Sequence, residues 1–328
     1  MSKFLAEEKP RQADFKTKSP YFSNAARSEG VYKGHSYSFC LPRDYAQENI
    51  YPEIRQSIQA YFTRNEIKWH DGQDGKPSNH MCDSQVCCAN FLFPFADKPN
   101  SLATLLRSIY PSLDKMLPIE DDLFVAFEWI GHENYLNEVK SANRNRTRGA
   151  NFTSADAAVM FQHIDGRKQI VLIEWKYTEA YYGTSLEVAK SGRKRTDIYR
   201  PLFEKDDCPI DKKLLPSYEA LFYEPFYQFM RQQFLANEME KVEELGAAVV
   251  SLMHIAPTHN TDFKYITSPE LRSLGISATD VWTKLVKAPG KFISVSTEEL
   301  FGRFDVIQHP ETRSWHTYIA ERYAWIIA

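Results

Sequence analysis

The sequence predicts an α/β fold in which helices cover a central sheet. Three observations predict it. Short segments rich in β-branched and aromatic residues stand at 123–130 (LFVAFEWI), 155–163 (ADAAVMFQH) and 169–178 (QIVLIEWKYT). A long amphipathic stretch at 218–245 carries Phe222, Phe226, Phe229, Met230 and Phe234. Directly after Gly246, the almost continuous apolar run 247–255 (AAVVSLMHI) suits a strand buried on both faces of a sheet.

Taken in order, residues 1–35 are polar and read as an arm or a loosely packed lead-in. Ile54, Ile58, Tyr61 and Phe62 have helical spacing within 52–62. Gly72, Gly75 and Pro77 mark 70–79 as a loop. Asp83 is placed to cap a helix over 84–93 that Pro94 stops, and a second short helix spans 101–110 before Pro111. Between the second and third strand segments, Asp165-Gly166 signals a tight hairpin. A strand near 292–296 and helices around 298–304 and 314–327 complete the chain. We divide it into an N-terminal arm and helical region (1–115), a core (116–300) and a C-terminal helical tail (301–328).

Composition narrows the function. With 40 basic and 43 acidic residues the formal charge is −3, so nucleic-acid binding must come from local patches. No run approaches the roughly 20 apolar residues that span a bilayer, so no membrane role is expected. Five cysteines do not make a disulfide framework, and a cytoplasmic protein is the expectation. No phosphate-cradling glycine loop signals NTP or dinucleotide chemistry.

The informative side chains are Asp156, Glu174 and Lys176. Alternation along a strand puts Glu174 and Lys176 on one face, with Ile173, Trp175 and Tyr177 on the other. The hairpin sets Asp156 where it can lie beside Glu174. Two carboxylates with substrate phosphate oxygens form a natural Mg²⁺ site, and an ammonium adds fixed positive charge. Charged residues at the end of an otherwise apolar strand are a local conflict of the kind that marks functional sites. Taken singly, each residue also reads as a solvated strand end, with Lys176 pairing one carboxylate at the surface.

These residues carry a resemblance. Ser154-Ala155-Asp156 followed by Glu174-Trp175-Lys176 resembles the metal-binding signature of the PD-(D/E)xK nuclease superfamily, with Ala155 in place of the proline. The phrases TSADAA and IEWKYTE, and the segment from Asp83-Ser84-Gln85 to Asn90, resemble more closely a bacterial family of restriction endonucleases. The resemblance implies a restriction-endonuclease-like core, a central mixed β-sheet flanked by helices with an N-terminal helical extension. It implies a Mg²⁺- or Mn²⁺-dependent endonuclease acting on DNA in restriction or genome defence, with Asp156 and Glu174 as metal ligands and Lys176 as the catalytic cation. An upstream acid is expected to join them. Glu128 and Glu138 are both candidates, and Glu128 is preferred because a carboxylate inside an apolar strand needs a partner. Some relatives place a glutamine on the helix after the lysine strand, where Gln228 stands. Read from the residues alone, Ser84, Gln85 and Asn90 either buttress the site or cap and pack.

Two basic runs flank these strands, Lys140, Arg144, Arg146 and Arg148 in one, and Lys190, Arg193, Lys194, Arg195 and Arg200 in the other. They are candidate phosphate contacts, or solvated loops. His70, His80, Cys82, Cys87 and Cys88 match no zinc spacing and read as buried thiols and isolated histidines. His254 reads as a satisfied core histidine, with His259 and Asn260 in a polar loop. A homodimer would permit double-strand cutting. The rival readings are a nucleic-acid-binding protein of the same fold without turnover, and a hydrolase of another phosphate ester.

Overall fold

The computed structural model describes residues 2–138, 146–150 and 152–327. Where an arm was expected, Lys3–Lys18 forms a helix (α1) capped by Ser2, whose hydroxyl accepts from the Leu5 N–H at 3.1 Å. Its buried stripe of Phe4, Glu8, Gln12, Phe15 and Lys16 has helical spacing. Three of the five are polar, so hydrophobic periodicity hides the helix. Gly30–Tyr32 (β1) and His35–Tyr37 (β2) form a small hairpin, with Lys33 and Gly34 both at positive φ as a two-residue turn requires.

Helices Arg55–Arg64 (α2) and Ser84–Leu92 (α3) follow as expected, and the Asp83 carboxylate caps α3 through the Val86 N–H at 2.9 Å. Pro99–Arg107 (α4) starts slightly ahead of the expected helix and ends before it. Leu113–Leu117 (β3) was not anticipated, a short bulged strand with exposed Asp114 and Lys115. Val125–Trp129 (β4), Ala155–His163 (β5) and Lys168–Trp175 (β6) are the three expected strands. Thr196–Glu204 (α5) occupies the end of the second basic run, and Phe226–Lys241 (α6) is the long amphipathic helix. Val249–Ala256 (β7), Ala278–Leu285 (α7), Phe292–Ser296 (β8), Thr297–Phe301 (α8) and Arg313–Arg322 (α9) complete the order.

The central sheet has six strands and is mixed, as expected. β5 and β6 are antiparallel across the Asp-Gly turn, whereas β6, β7 and β8 run parallel. β3 and β4 both pair with β5, meeting different halves of it. Each face of the sheet buries its own apolar cluster. Val159, Val171, Ile173, Trp175 and Ile255 pack under α1 to α4, α8 and α9. Ala158, Ile170, Leu172, Leu252 and Phe292 pack under α5 to α7. The N-terminal helices and C-terminal tail thus interleave on one face. Arg322 of α9 is the knot: its guanidinium donates to Gln12 Oε1, Asn49 O and Met81 O.

Candidate active site

The site lies where β5 begins and β6 ends, between α3 on one face and α6 on the other. Asp156 Oδ2 accepts the Trp175 N–H at 2.7 Å, so the aspartate is drawn against the end of β6, next to Glu174. Glu174 is fully buried and Lys176 is 5% exposed. The two form an ion pair, and Gln232 Nε2 donates to the other Glu174 oxygen. Lys176 Nζ also donates to Gln228 Oε1 at 2.8 Å, and the Tyr181 hydroxyl reaches the same oxygen at 3.4 Å. Glu174 and Lys176 are therefore buried beside a half-buried Asp156 and do not stand at solvated strand ends.

Glu128 joins them. Its backbone is left-handed (φ 49°), a conformation costing about 1–3 kcal/mol in a residue that is not glycine. It falls within β4, between residues that pair with Ala157 and Ala155. Gln85 Nε2 donates to one carboxylate oxygen at 2.6 Å and Ser154 Oγ to the other at 2.8 Å. A clamp holds the kink: Arg148 donates to Phe127 O and Glu128 O, pairs with Glu120 at 2.7 Å and reaches the Tyr61 hydroxyl at 3.1 Å. Tyr61 in turn accepts the Phe127 N–H at 3.0 Å. The other candidate acid, Glu138, lies apart in a structural network, accepting from the Thr153 N–H and the Tyr199 hydroxyl, both at 2.8 Å. It braces the entry to β5 three residues ahead of Asp156.

The electrostatics follow from crowding. Burial pushes Asp156 well above the usual carboxylate range, and the charges of Glu174 and Glu128 add to the rise. Glu128 is raised mainly by burial, against hydrogen bonds from Ser154 and Gln85. Burial opposes the Lys176 ammonium more than any single neighbour favours it, but Glu174, Tyr181, Glu179 and Asp156 together outweigh it and raise the lysine well above its usual range. Sequence reasoning missed Glu224, raised by burial and facing both Lys176 and Glu174. It also missed Gln232, one helical turn beyond Gln228 and beside Phe229, Leu235 and Ala236; a second glutamine on that stripe was the available signal.

Among the described residues, no group of three or more His, Cys, Asp and Glu side chains is arranged to hold a metal ion. The donor chemistry nonetheless fits a hard divalent cation. Asp156, Glu174 and Glu128 offer only oxygen donors, and their mutual repulsion is what such a cation relieves.

The basic residues divide. Arg146 donates to the carbonyls of Gly131 and His132, so with Arg148 it is engaged in holding the end of β4. Lys140 and Arg144 lie outside the described residues. Arg193 and Lys194 are exposed at the tip of a turn where Val188 bridges Lys194, although Arg193 also donates to Glu138 O at 3.0 Å. Arg195 donates to Leu186 O and stacks on Tyr227.

Of the remaining side chains, Ser84 reaches Trp175 O at 3.4 Å, whereas Asn90 accepts the Tyr51 N–H and serves packing. The five cysteines are buried and unpaired. His254 pairs along the ladder with Glu174, and burial pulls it down to about 3. It is only half satisfied: Ser294 meets Nδ1, and Nε2 has no partner among the described residues. Asn260 lies in the loop after β7, as expected, but is buried there as a crosslink, donating to Tyr177 O and Glu179 O.

No helix among the described residues is long and apolar enough to cross a membrane. Comparison with curated proteins and with solved structures finds no match. A family model does match, over residues 9–324, and the chain belongs to that family, described as restriction endonuclease associating with ARP.

Proposed function

We propose that the protein is a Mg²⁺-dependent endonuclease that hydrolyses phosphodiester bonds in DNA, in restriction or another form of genome defence. The observation that carries this reading is the burial of Glu174 and Lys176 as a pair beside Asp156, all three at the junction of β5 and β6. Membership of a restriction-endonuclease family supports it.

Asp156 and Glu174 would hold the cation, with Glu128 as the neighbouring acid. When bound, a divalent cation supplies Lewis-acid stabilisation of the phosphoryl oxygens and makes water more acidic. The protein's own residues supply the rest. Lys176, kept charged by Glu174, offers a fixed ammonium to the negative charge that builds on phosphorus oxygens as water adds and the ester oxygen departs. Gln228 orients that ammonium. Gln85 and Ser154 fix the Glu128 carboxylate from two sides. Arg193 and Lys194 are the exposed cations available to DNA phosphates.

Plasmid cleavage in Mg²⁺ tests the reading. Asp156→Asn and Lys176→Ala are each expected to slow cutting by at least about 10²-fold, with circular dichroism showing a folded protein. Chelation should stop the reaction, and added Mg²⁺ or Mn²⁺ should restore it. Equal rates in parent and both variants would place the chemistry elsewhere. Salt-sensitive DNA binding without cleavage would favour a binding protein, and turnover of a chromogenic phosphodiester without DNA binding would favour another esterase.

A further inference from the structure

Gln232 is fully buried and spans the two strands that bring the site together. Its Nε2 donates both to the Glu174 carboxylate and, at 3.0 Å, to the Ser154 carbonyl, two residues ahead of Asp156. Both partners are acceptors, which fixes the orientation of the amide: turned over, its carbonyl would face two oxygens. The consequence is that Oε1 is buried with no hydrogen-bond partner among the described residues. A buried amide oxygen without a donor costs about 1–3 kcal/mol. With Gln232 on one Glu174 oxygen and Lys176 on the other, the carboxylate is satisfied, and the unmet atom left in this network is the amide oxygen of Gln232.

The missing partner is a donor. Mg²⁺ and Mn²⁺ held by one or two carboxylates retain several waters, and each such water donates hydrogen bonds. We infer that Gln232 is a positioning residue for the cation: its Nε2 holds Glu174 in place for binding, and its Oε1 accepts from a water in the cation's hydration shell. The inference rests on the proposed metal-dependent reading and adds to it a residue of α6 that touches no substrate.

Titration of the whole protein with Mn²⁺ by calorimetry, without DNA, separates the two. In the parent, Mn²⁺ binds and Asp156→Asn removes the binding. Gln232→Leu is expected to weaken Mn²⁺ binding by about 10- to 100-fold, and the rise in melting temperature at a fixed Mn²⁺ concentration shrinks with it. Gln232→Met, which keeps the length and flexibility of the side chain, should do the same and guards against misfolding of the leucine variant. Gln233→Leu, the next helix position but lining a cavity with Asn237 and Lys287, should bind as the parent does. Parent-like affinity in both Gln232 variants overturns the role of Gln232 alone, as does equal weakening by Gln233→Leu. A parent that takes up no Mn²⁺ overturns the underlying reading as well.

Discussion

Asp156 carries its negative charge at a cost that Lys176 and the Trp175 N–H only partly offset. Its folded pKa is raised by burial and then by Glu174 and Glu128. The folded state therefore binds a proton more tightly than the unfolded chain, so stability falls as pH climbs from the ordinary aspartate range through the raised value. Asp156→Asn removes that penalty. Without divalent cations the variant should be more stable than the parent by about 1 kcal/mol at neutral pH, and urea melts should show the gap closing as the pH falls towards 4. Lys176 behaves in the opposite sense. Its raised value means that its stabilising contribution is complete at neutral pH and is lost only above the ordinary lysine range. Lys176→Ala leaves Glu174 buried without its cation, so its urea midpoint should drop by the equivalent of about 3 kcal/mol. The triad was legible from strand alternation and one turn. Gln232 and Glu224 were not, because no local pattern says that a helix far along the chain will cross that strand.

At the scale of elements, β4 is the part under strain. Its last residues turn through a left-handed Glu128, and Arg148 with Tyr61 and Glu120 replaces the hydrogen bonds an edge strand lacks. Arg148→Ala should lower stability by about 3 kcal/mol and loosen the Glu128 backbone; Arg148→Lys, without the planar fork that spans two carbonyls and a carboxylate, should recover little of it. Urea denaturation and amide exchange at Phe127 would register both effects. The sequence presented Arg148 only as a member of a basic run, since charge pattern does not distinguish a guanidinium aimed at carbonyls from one aimed at solvent. The turn carrying Arg193 and Lys194 behaves differently. Exchanging both for serine should weaken DNA retention and reduce its salt dependence by about two phosphate contacts, leaving the melting curve within about 0.5 kcal/mol. β5 and the Asp83 cap matched the sequence reading because alternation, turn chemistry and capping are local. α1 did not, because its buried face is made of Glu8, Gln12 and Lys16, whose partners Tyr177, Arg322 and Cys40 are supplied by distant segments.

Over the whole molecule, the two faces of the sheet contribute unequal parts of the site. The face under α6 gives the glutamines that touch Lys176 and Glu174, and the face under α3 gives Gln85 and Ser84. The second face is completed by α1 and α9, joined through Gln12 and Arg322. Arg322→Met would leave Gln12, Asn49 and Met81 without their shared donor. It should destabilise the protein by about 3–5 kcal/mol, and limited proteolysis should reveal α1 cut first.

That closure through Arg322 has a bearing on synthesis. The layer that seats Gln85 against Glu128 includes contacts to a side chain more than three hundred residues along the polypeptide. A ribosome-bound chain lacking it has strands and carboxylates but an unfinished wall, so any DNA cleavage of the kind proposed above would begin only after translation has passed that arginine.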